Sequence, residues 1–391
     1  MLHSIAAQIN QSISPDIMNT LSELGTRAYF PKSGILGQSA DAKQCGINAT
    51  IGIALEDDGN PMCLGTVSKQ TTLIAGNLVP YAPSYGLPAL RAEWRRRMLS
   101  VNPSLNETVV SNPVVTCALT HALSVVGQLL IKPGGILVLP DLFWGNYRLI
   151  FEQALGAKIV TFETFRNGGF NVQGCLDCLR SQAEGAVTLL LNFPNNPTGY
   201  NCTRSEAIQL RDGLTKIADE RSGLGVIVDD AYFGLNYESG LLEESIFSML
   251  ADAHEALLAV KVDGATKEDY VWGFRVGFIT LGYRGASSAA LSALEDKCAG
   301  LVRGSISNAP RVSQAILLNA YEDPNFAREK QSKYEVMRHR YLALKTCFDE
   351  TVGFSERFER LPANAGYFLC LRPKHVAADA LRLHLIEHYD L

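Results

Sequence analysis

From residue 114 onward the chain alternates short apolar runs with stretches in which apolar positions recur every three or four residues. That alternation is the pattern of strands joined by helical crossovers, and so of a mostly parallel sheet. Strands are predicted over 114–116, 136–139, 158–162, 186–193, 226–228, 256–262 and 276–281, with helices over 120–131, 146–155, 172–183 and 203–221. The run 186–193 (AVTLLLNF) is nearly continuous in apolar residues, which asks for burial on both faces. Beyond residue 287 the pattern turns to long helices, clearest at 310–321 and 325–348, followed by a strand at 367–371 and a last helix at 376–388. The expected fold class is α/β, a three-layer α/β/α arrangement on a mostly parallel sheet with a smaller α+β second domain. The division expected is an N-terminal segment, 1–55, packing with the small domain, a large domain over 56–300, and a small C-terminal domain over 301–391. No internal repeat or low-complexity segment interrupts it.

Composition narrows the function classes. At 391 residues and 47% apolar the chain can bury two real cores. Lys+Arg number 35 against Asp+Glu 40, a formal net charge of −5 with no long block of one sign, so nothing provides the basic footprint of a nucleic-acid binder. Nine cysteines, an odd number scattered through a large chain, point to a reducing compartment. Cys175 and Cys178 have CxxC spacing but no second pair or nearby histidine, so they read as small helix residues and no metal site is expected. The N-terminal MLHSIAAQINQSISPD lacks a basic region before an apolar core, and no apolar run is long enough to span a bilayer. A cytoplasmic protein without a membrane partner is expected.

Open parallel sheets bind ligands beyond the carboxyl ends of their strands, so the residues just after each apolar run carry the chemistry. After 114–116 come Cys117-Ala118-Leu119-Thr120, opening a helix whose free N–H groups suit an anion, although Thr120 also serves as an ordinary cap. After 186–193 stands Pro194-Asn195-Asn196-Pro197-Thr198-Gly199, a turn around two amides. Asp229 follows 226–228, and a carboxylate at the end of a buried strand needs a cationic or hydrogen-bonding partner. Lys267 follows 256–262 within Asp263-Gly264-Ala265-Thr266-Lys267, and Arg275 lies eight residues further in Gly273-Phe274-Arg275-Val276-Gly277. Each motif alone has a plain structural reading. Their succession along one sheet is what few chemistries require.

This combination, Asn-Pro-Thr-Gly, then Asp-x-Ala-Tyr, then Lys with Arg eight later, resembles the class I and II aminotransferases, pyridoxal 5'-phosphate (PLP) enzymes of fold type I, from about residue 48 to the C-terminus. The resemblance implies that Lys267 forms a Schiff base with PLP, that Asp229 pairs with the pyridine nitrogen, and that Asn196 and Tyr232 hydrogen-bond the ring hydroxyl oxygen. It likewise implies that Arg275 and the loop Ala118, Leu119, Thr120 hold the phosphate and that Trp144 stacks on the ring. Tyr81 resembles the tyrosine that reaches the phosphate in the neighbouring subunit, so a homodimer with shared active sites is implied. Arg303 resembles a position that reaches across the dimer to a distal substrate carboxylate, while Thr50 and Ile51, with Asn196, match the substrate-lining segment. The activity implied is transfer of an amino group from an L-amino acid, acidic or dicarboxylic among the choices, to a 2-oxo acid.

The physics of these residue types agrees. A buried carboxylate stabilises a protonated pyridine nitrogen. A desolvated lysine among cations is a competent nucleophile and base, and an arginine fork matches phosphate. Three departures stand out: Gly264 where the family usually has a small hydroxyl residue, Ala118 where it often has glycine, and a chain that stops at Leu391, before the family's last strands and the arginine that clamps the substrate α-carboxylate. Two other readings stay open on the same scaffold. One is elimination or replacement at Cβ or Cγ; the other is a non-catalytic PLP-binding homologue.

Overall fold

The computed structural model describes residues 2–30, 35–50, 52–71, 78–183 and 185–391. Its centre is a seven-stranded sheet made of β1 (Val114–Cys117), β2 (Ile136–Pro140), β3 (Lys158–Phe162), β6 (Val187–Asn192), β7 (Leu224–Asp229), β8 (Leu257–Asp263) and β9 (Val276–Gly282), with β4 (Phe165–Arg166) and β5 (Gly169–Phe170) forming a separate hairpin. The order across the sheet is β1-β9-β8-β7-β6-β2-β3. β3, β2, β6, β7 and β8 run parallel, while β9 is antiparallel to both of its neighbours, β1 and β8. The sheet is therefore the mostly parallel one expected.

β6 and β9 are buried along their whole length, and β7 and β8 at all but one position each, as their apolar runs require. Alternate side chains feed two cores. Val226, Val228, Leu257 and Ala259 join the core covered by helices Val172–Arg180 and Arg204–Asp219. Ile227, Val260 and Val262 join the core covered by helix Ala118–Leu130 and by Cys298 and Val302 of helix Ser288–Ile306. Helix Arg204–Asp219 opens on a full capping box, Thr203 with Glu206, which fixes where the helix begins. Cys175 and Cys178 both lie on helix Val172–Arg180, the first buried and the second half-buried.

After β9 come helices Ser288–Ile306, Arg311–Glu322 and Phe326–Glu350, the ribbon of β10 (Phe358–Arg360) with β11 (Leu371–Pro373), and helix Ala378–Tyr389. The strand expected at 367–371 is displaced to Leu371–Pro373. Residues 367–370 are instead drawn toward the sheet: Tyr367 and Phe368 pack edge-on against Tyr232, and the Tyr367 hydroxyl donates to the Lys267 carbonyl at 3.2 Å. The N-terminal segment meets the C-terminal helix where Arg382 pairs with Asp41 at 3.0 Å and the Ile47 N–H bonds the Asp390 carbonyl at 3.2 Å. Among the described residues no helix is long and apolar enough to cross a membrane.

Candidate active site

The carboxyl ends of β1, β6, β7 and β8 converge on a cavity of about 730 Å³. Ala118, Leu119, Thr120, Trp144, Asn196, Asp229, Tyr232, Lys267 and Arg275 all line it, with Thr50 at its rim. The sequence spreads these residues widely along the chain, and sheet order alone brings them to one wall.

Asp229 is the last residue of β7 and only 3% exposed. Its carboxylate accepts the Tyr147 hydroxyl at 2.6 Å and the Ala231 N–H at 3.1 Å. Burial raises its pKa above the ordinary carboxylate value despite these donors and the nearby Lys267 charge. The site is thus short of positive charge at Asp229, as a place for a cation should be. Lys267, in the helical turn Ala265–Glu268 beyond β8, is affected in the opposite direction: burial lowers its pKa and Arg275 adds to the effect, with Asp229 opposing. Its amine lies 5.2 Å from the centre of the Tyr232 ring. Tyr232 is buried, its hydroxyl 3.5 Å from the Asn196 side-chain nitrogen. Asn192, at the end of β6, anchors both neighbours by accepting the Asn196 N–H at 2.7 Å and donating to the Asp229 carbonyl at 2.8 Å.

The glycine at 264 has a geometric cause. A Cβ on Gly264 would meet the Val276 carbonyl oxygen at 2.6 Å and the Gly277 Cα at 2.8 Å, and one on Gly277 would meet the Ala118 carbonyl carbon at 2.7 Å. Backbone packs on backbone there, so position 264 has no room for a side chain. Ala118 adopts φ of 62°, a left-handed conformation that disfavours an L-residue. Ala118→Gly is expected to raise stability by about 1 kcal/mol, the αL strain less the entropy glycine adds; a melting midpoint at or below that of the parent would show that the strain is absent.

Two residues of the wall carry buried donors without a hydrogen-bond partner among the described residues, the Thr266 hydroxyl and the Trp272 indole N–H. Unmatched buried polar groups are uncommon in folded proteins, and together with the Arg275 guanidinium they add N–H and O–H donors to the wall. A ring with a basic nitrogen toward Asp229, an oxygen toward Tyr232 and Asn196, an aldehyde toward Lys267 and an anion toward Arg275 matches this donor set.

Comparison with known proteins agrees with that match. The family model for aminotransferase class I and II matches residues 46–391. The chain belongs to this family. Its curated relatives include the mitochondrial aspartate aminotransferase of Schizosaccharomyces pombe, 24% identical over 360 residues, 89% of this chain and 79% of that protein. The cytoplasmic aspartate aminotransferase of Oryza sativa is 25% identical over 81% of this chain and 78% of its own length. Among solved structures, an aminotransferase from Anaerococcus prevotii superposes with a TM-score of 0.76 at 21% identity, covering 90% of this chain and 87% of that one. An aspartate aminotransferase variant from Thermus thermophilus gives 0.73 at 21% identity over 94% and 89%. The architecture is that of PLP-dependent fold type I, as the sequence implied, and PLP is the cofactor of this aminotransferase family.

Not every anticipated residue joins the cavity. Ile51 lies outside the described residues. Tyr81 is 90% exposed and Arg303 is exposed near the end of helix Ser288–Ile306, and neither is in the wall formed by this chain. Sequence reasoning assigns no role to Tyr147, Asn192, Thr266, Trp272 or Phe368, all in the wall. Tyr147 is the most accessible of these, since a strand-end aspartate demands a donor and Tyr147 follows Trp144 by one helical turn.

Proposed function

We propose that this aminotransferase takes the amino group of an L-amino acid and delivers it to a 2-oxo acid, with Lys267 as the covalent anchor of PLP. The observation that carries the reading is the placement of Asp229 at the end of β7 and of Lys267 in the turn after the adjacent β8, on one cavity wall, with pKa values displaced in opposite directions by burial. Bound PLP supplies an electron sink for the pair left at the substrate Cα. With PLP bound, Asp229 would hold the proton on the pyridine nitrogen. Once the substrate amine has displaced it from the cofactor, the freed Lys267 amine, whose lowered pKa favours the neutral form, would take the proton from the substrate Cα and deliver it to the cofactor C4′. Tyr232 and Asn196 would donate to the ring oxygen, Trp144 would cover the ring, and Arg275 would hold the phosphate with the 118–120 loop and the Thr266 hydroxyl.

The working unit in this reading is a homodimer. Its support is the exposed pairing of two segments: the Ser84 hydroxyl donates to the Ser307 carbonyl at 2.8 Å and the Tyr85 hydroxyl to Asp296 at 2.7 Å, so the loop bearing Tyr81 rests on the helix bearing Arg303. In this reading both side chains would serve a second copy's cavity, Arg303 meeting the distal carboxylate of an acidic donor, a reading that relatives named aspartate aminotransferases support. Thr50 and Asn196 would contact the substrate. Residues 1–55 and 301–391 would form the small domain around a large domain of 56–300, and nine free thiols favour a cytoplasmic setting.

The test is a panel of 15N-labelled L-amino acids with 2-oxo acid acceptors. The expected result is a new amino acid carrying the label; labelled ammonia without a new amino acid would overturn the reading in favour of elimination. Arg303→Ala should lower kcat/KM by about tenfold to a hundredfold for a dicarboxylic donor, the worth of one charged hydrogen bond, and leave a neutral donor within about twofold. Equal losses for both donors would remove Arg303 from substrate recognition.

A further inference from the structure

On the sheet face opposite Asp229 lies a charged group that the proposed chemistry does not use. Lys261, on β8, is 1% exposed, and its ammonium pairs with Asp230 at 2.6 Å and Asp263 at 2.7 Å. Both carboxylates are buried as well. The Ser245 hydroxyl donates to Asp230 at 2.6 Å, the Trp94 indole N–H to Asp263 at 3.1 and 3.2 Å, and the Phe233 ring centre lies 5.1 Å from the ammonium.

Desolvating three charges opposes folding, and apolar side chains of similar volume commonly fill such a space with no loss of stability. A structural role alone is therefore a poor account of the triad. Its position suggests another. Val228 pairs with Lys261 and Asp229 with Val262 in the parallel ladder. Asp230 directly follows the carboxylate facing the ring nitrogen, and Asp263 ends the strand four residues before Lys267. The ammonium thus joins the ends of the two strands that present the two groups whose spacing the chemistry depends on.

We propose that Lys261 is a positioning residue: by bridging Asp230 and Asp263 it fixes the separation of the Asp229 carboxylate from the Lys267 amine. This rests on the PLP reading above. The test uses the full chain with PLP and compares the parent with Lys261→Met and with the neutral triple variant Lys261→Met/Asp230→Asn/Asp263→Asn. Three quantities are read: thermal midpoint, PLP dissociation constant, and the pH midpoint of the visible band that PLP gives on Lys267. The triple variant should melt no lower than the parent yet bind PLP at least tenfold more weakly, with a pH midpoint moved by half a unit or more. A triple variant with the parent's PLP affinity and pH midpoint would overturn the proposal. Should the triple variant not accumulate, Asp230→Asn, which removes the tie between β8 and the end of β7, should weaken PLP at least threefold and shift the pH midpoint; unchanged values would overturn it equally. A parent protein with no Lys267-dependent band would overturn the cofactor reading itself, which the other outcomes leave standing.

Discussion

Lys267→Ala lowers amino transfer by at least about 10⁴-fold, because one side chain provides both the covalent anchor and the base. The loss should fall on kcat far more than on stability: among the described residues the Lys267 amine makes no ion pair at contact distance, and its burial opposes its charge. Borohydride treatment of the PLP-loaded protein, followed by peptide mapping, should place the cofactor on Lys267 in the parent and nowhere in the variant. Activity within tenfold of the parent, or trapping at another lysine, would assign the anchor elsewhere.

Asp229→Asn is the second large effect. A buried ring cation deprived of its carboxylate loses about 3–5 kcal/mol, or two to nearly four orders of magnitude in rate at about 1.36 kcal/mol per tenfold. The apoprotein should move in the opposite direction. The pKa of Asp229 is raised in the fold, so at neutral pH the ionised carboxylate opposes folding. The unfolded chain releases this proton at lower pH than the folded one, and stability therefore falls as pH rises through that window. The apoprotein of the Asp229→Asn variant should melt above the parent at pH 7, with the gap closing as the pH is lowered toward the usual carboxylate range. A constant gap would mean that Asp229 does not titrate differently in the two states.

The parts of the molecule that can be read in advance are those governed by local pattern. The strands of the central sheet are legible because burial on both faces leaves unbroken apolar runs. Asp229 is legible because it directly follows such a run, and Asn196, Lys267 and Arg275 because they stand in short motifs at the strand ends whose succession resembles one family. What depends on distant partners is hidden. The spacing from Trp144 marks residue 147 but does not tell that Tyr147 will donate to a carboxylate 82 positions later, and nothing around 367–370 tells that the aromatic pair will turn inward to Tyr232 instead of extending as a strand. The antiparallel setting of β9 is a property of connection and not of composition. Gly264, a departure from the family pattern in one dimension, is in three the only residue type that lets the turn before Lys267 lie against Gly277.

The anion wall follows the same logic. Arg275 can be identified from its spacing to Lys267, whereas the unpartnered Thr266 hydroxyl and Trp272 indole become informative only once burial has removed every other acceptor. Lys261 has an equally plain sequence setting, a lysine inside an apolar strand, and that alone asks for buried carboxylates beside it.

The most direct test of amino transfer on this site is a single-turnover reaction: PLP-loaded protein mixed with excess L-amino acid donor and no acceptor, with the 2-oxo acid counted per protomer. Transfer through Lys267 predicts a burst of about one 2-oxo acid per protomer that then stops, resumes only when a second 2-oxo acid is added, and is absent in Lys267→Ala. Continuous release of 2-oxo acid with ammonia and no acceptor, or no release from any donor, would contradict it.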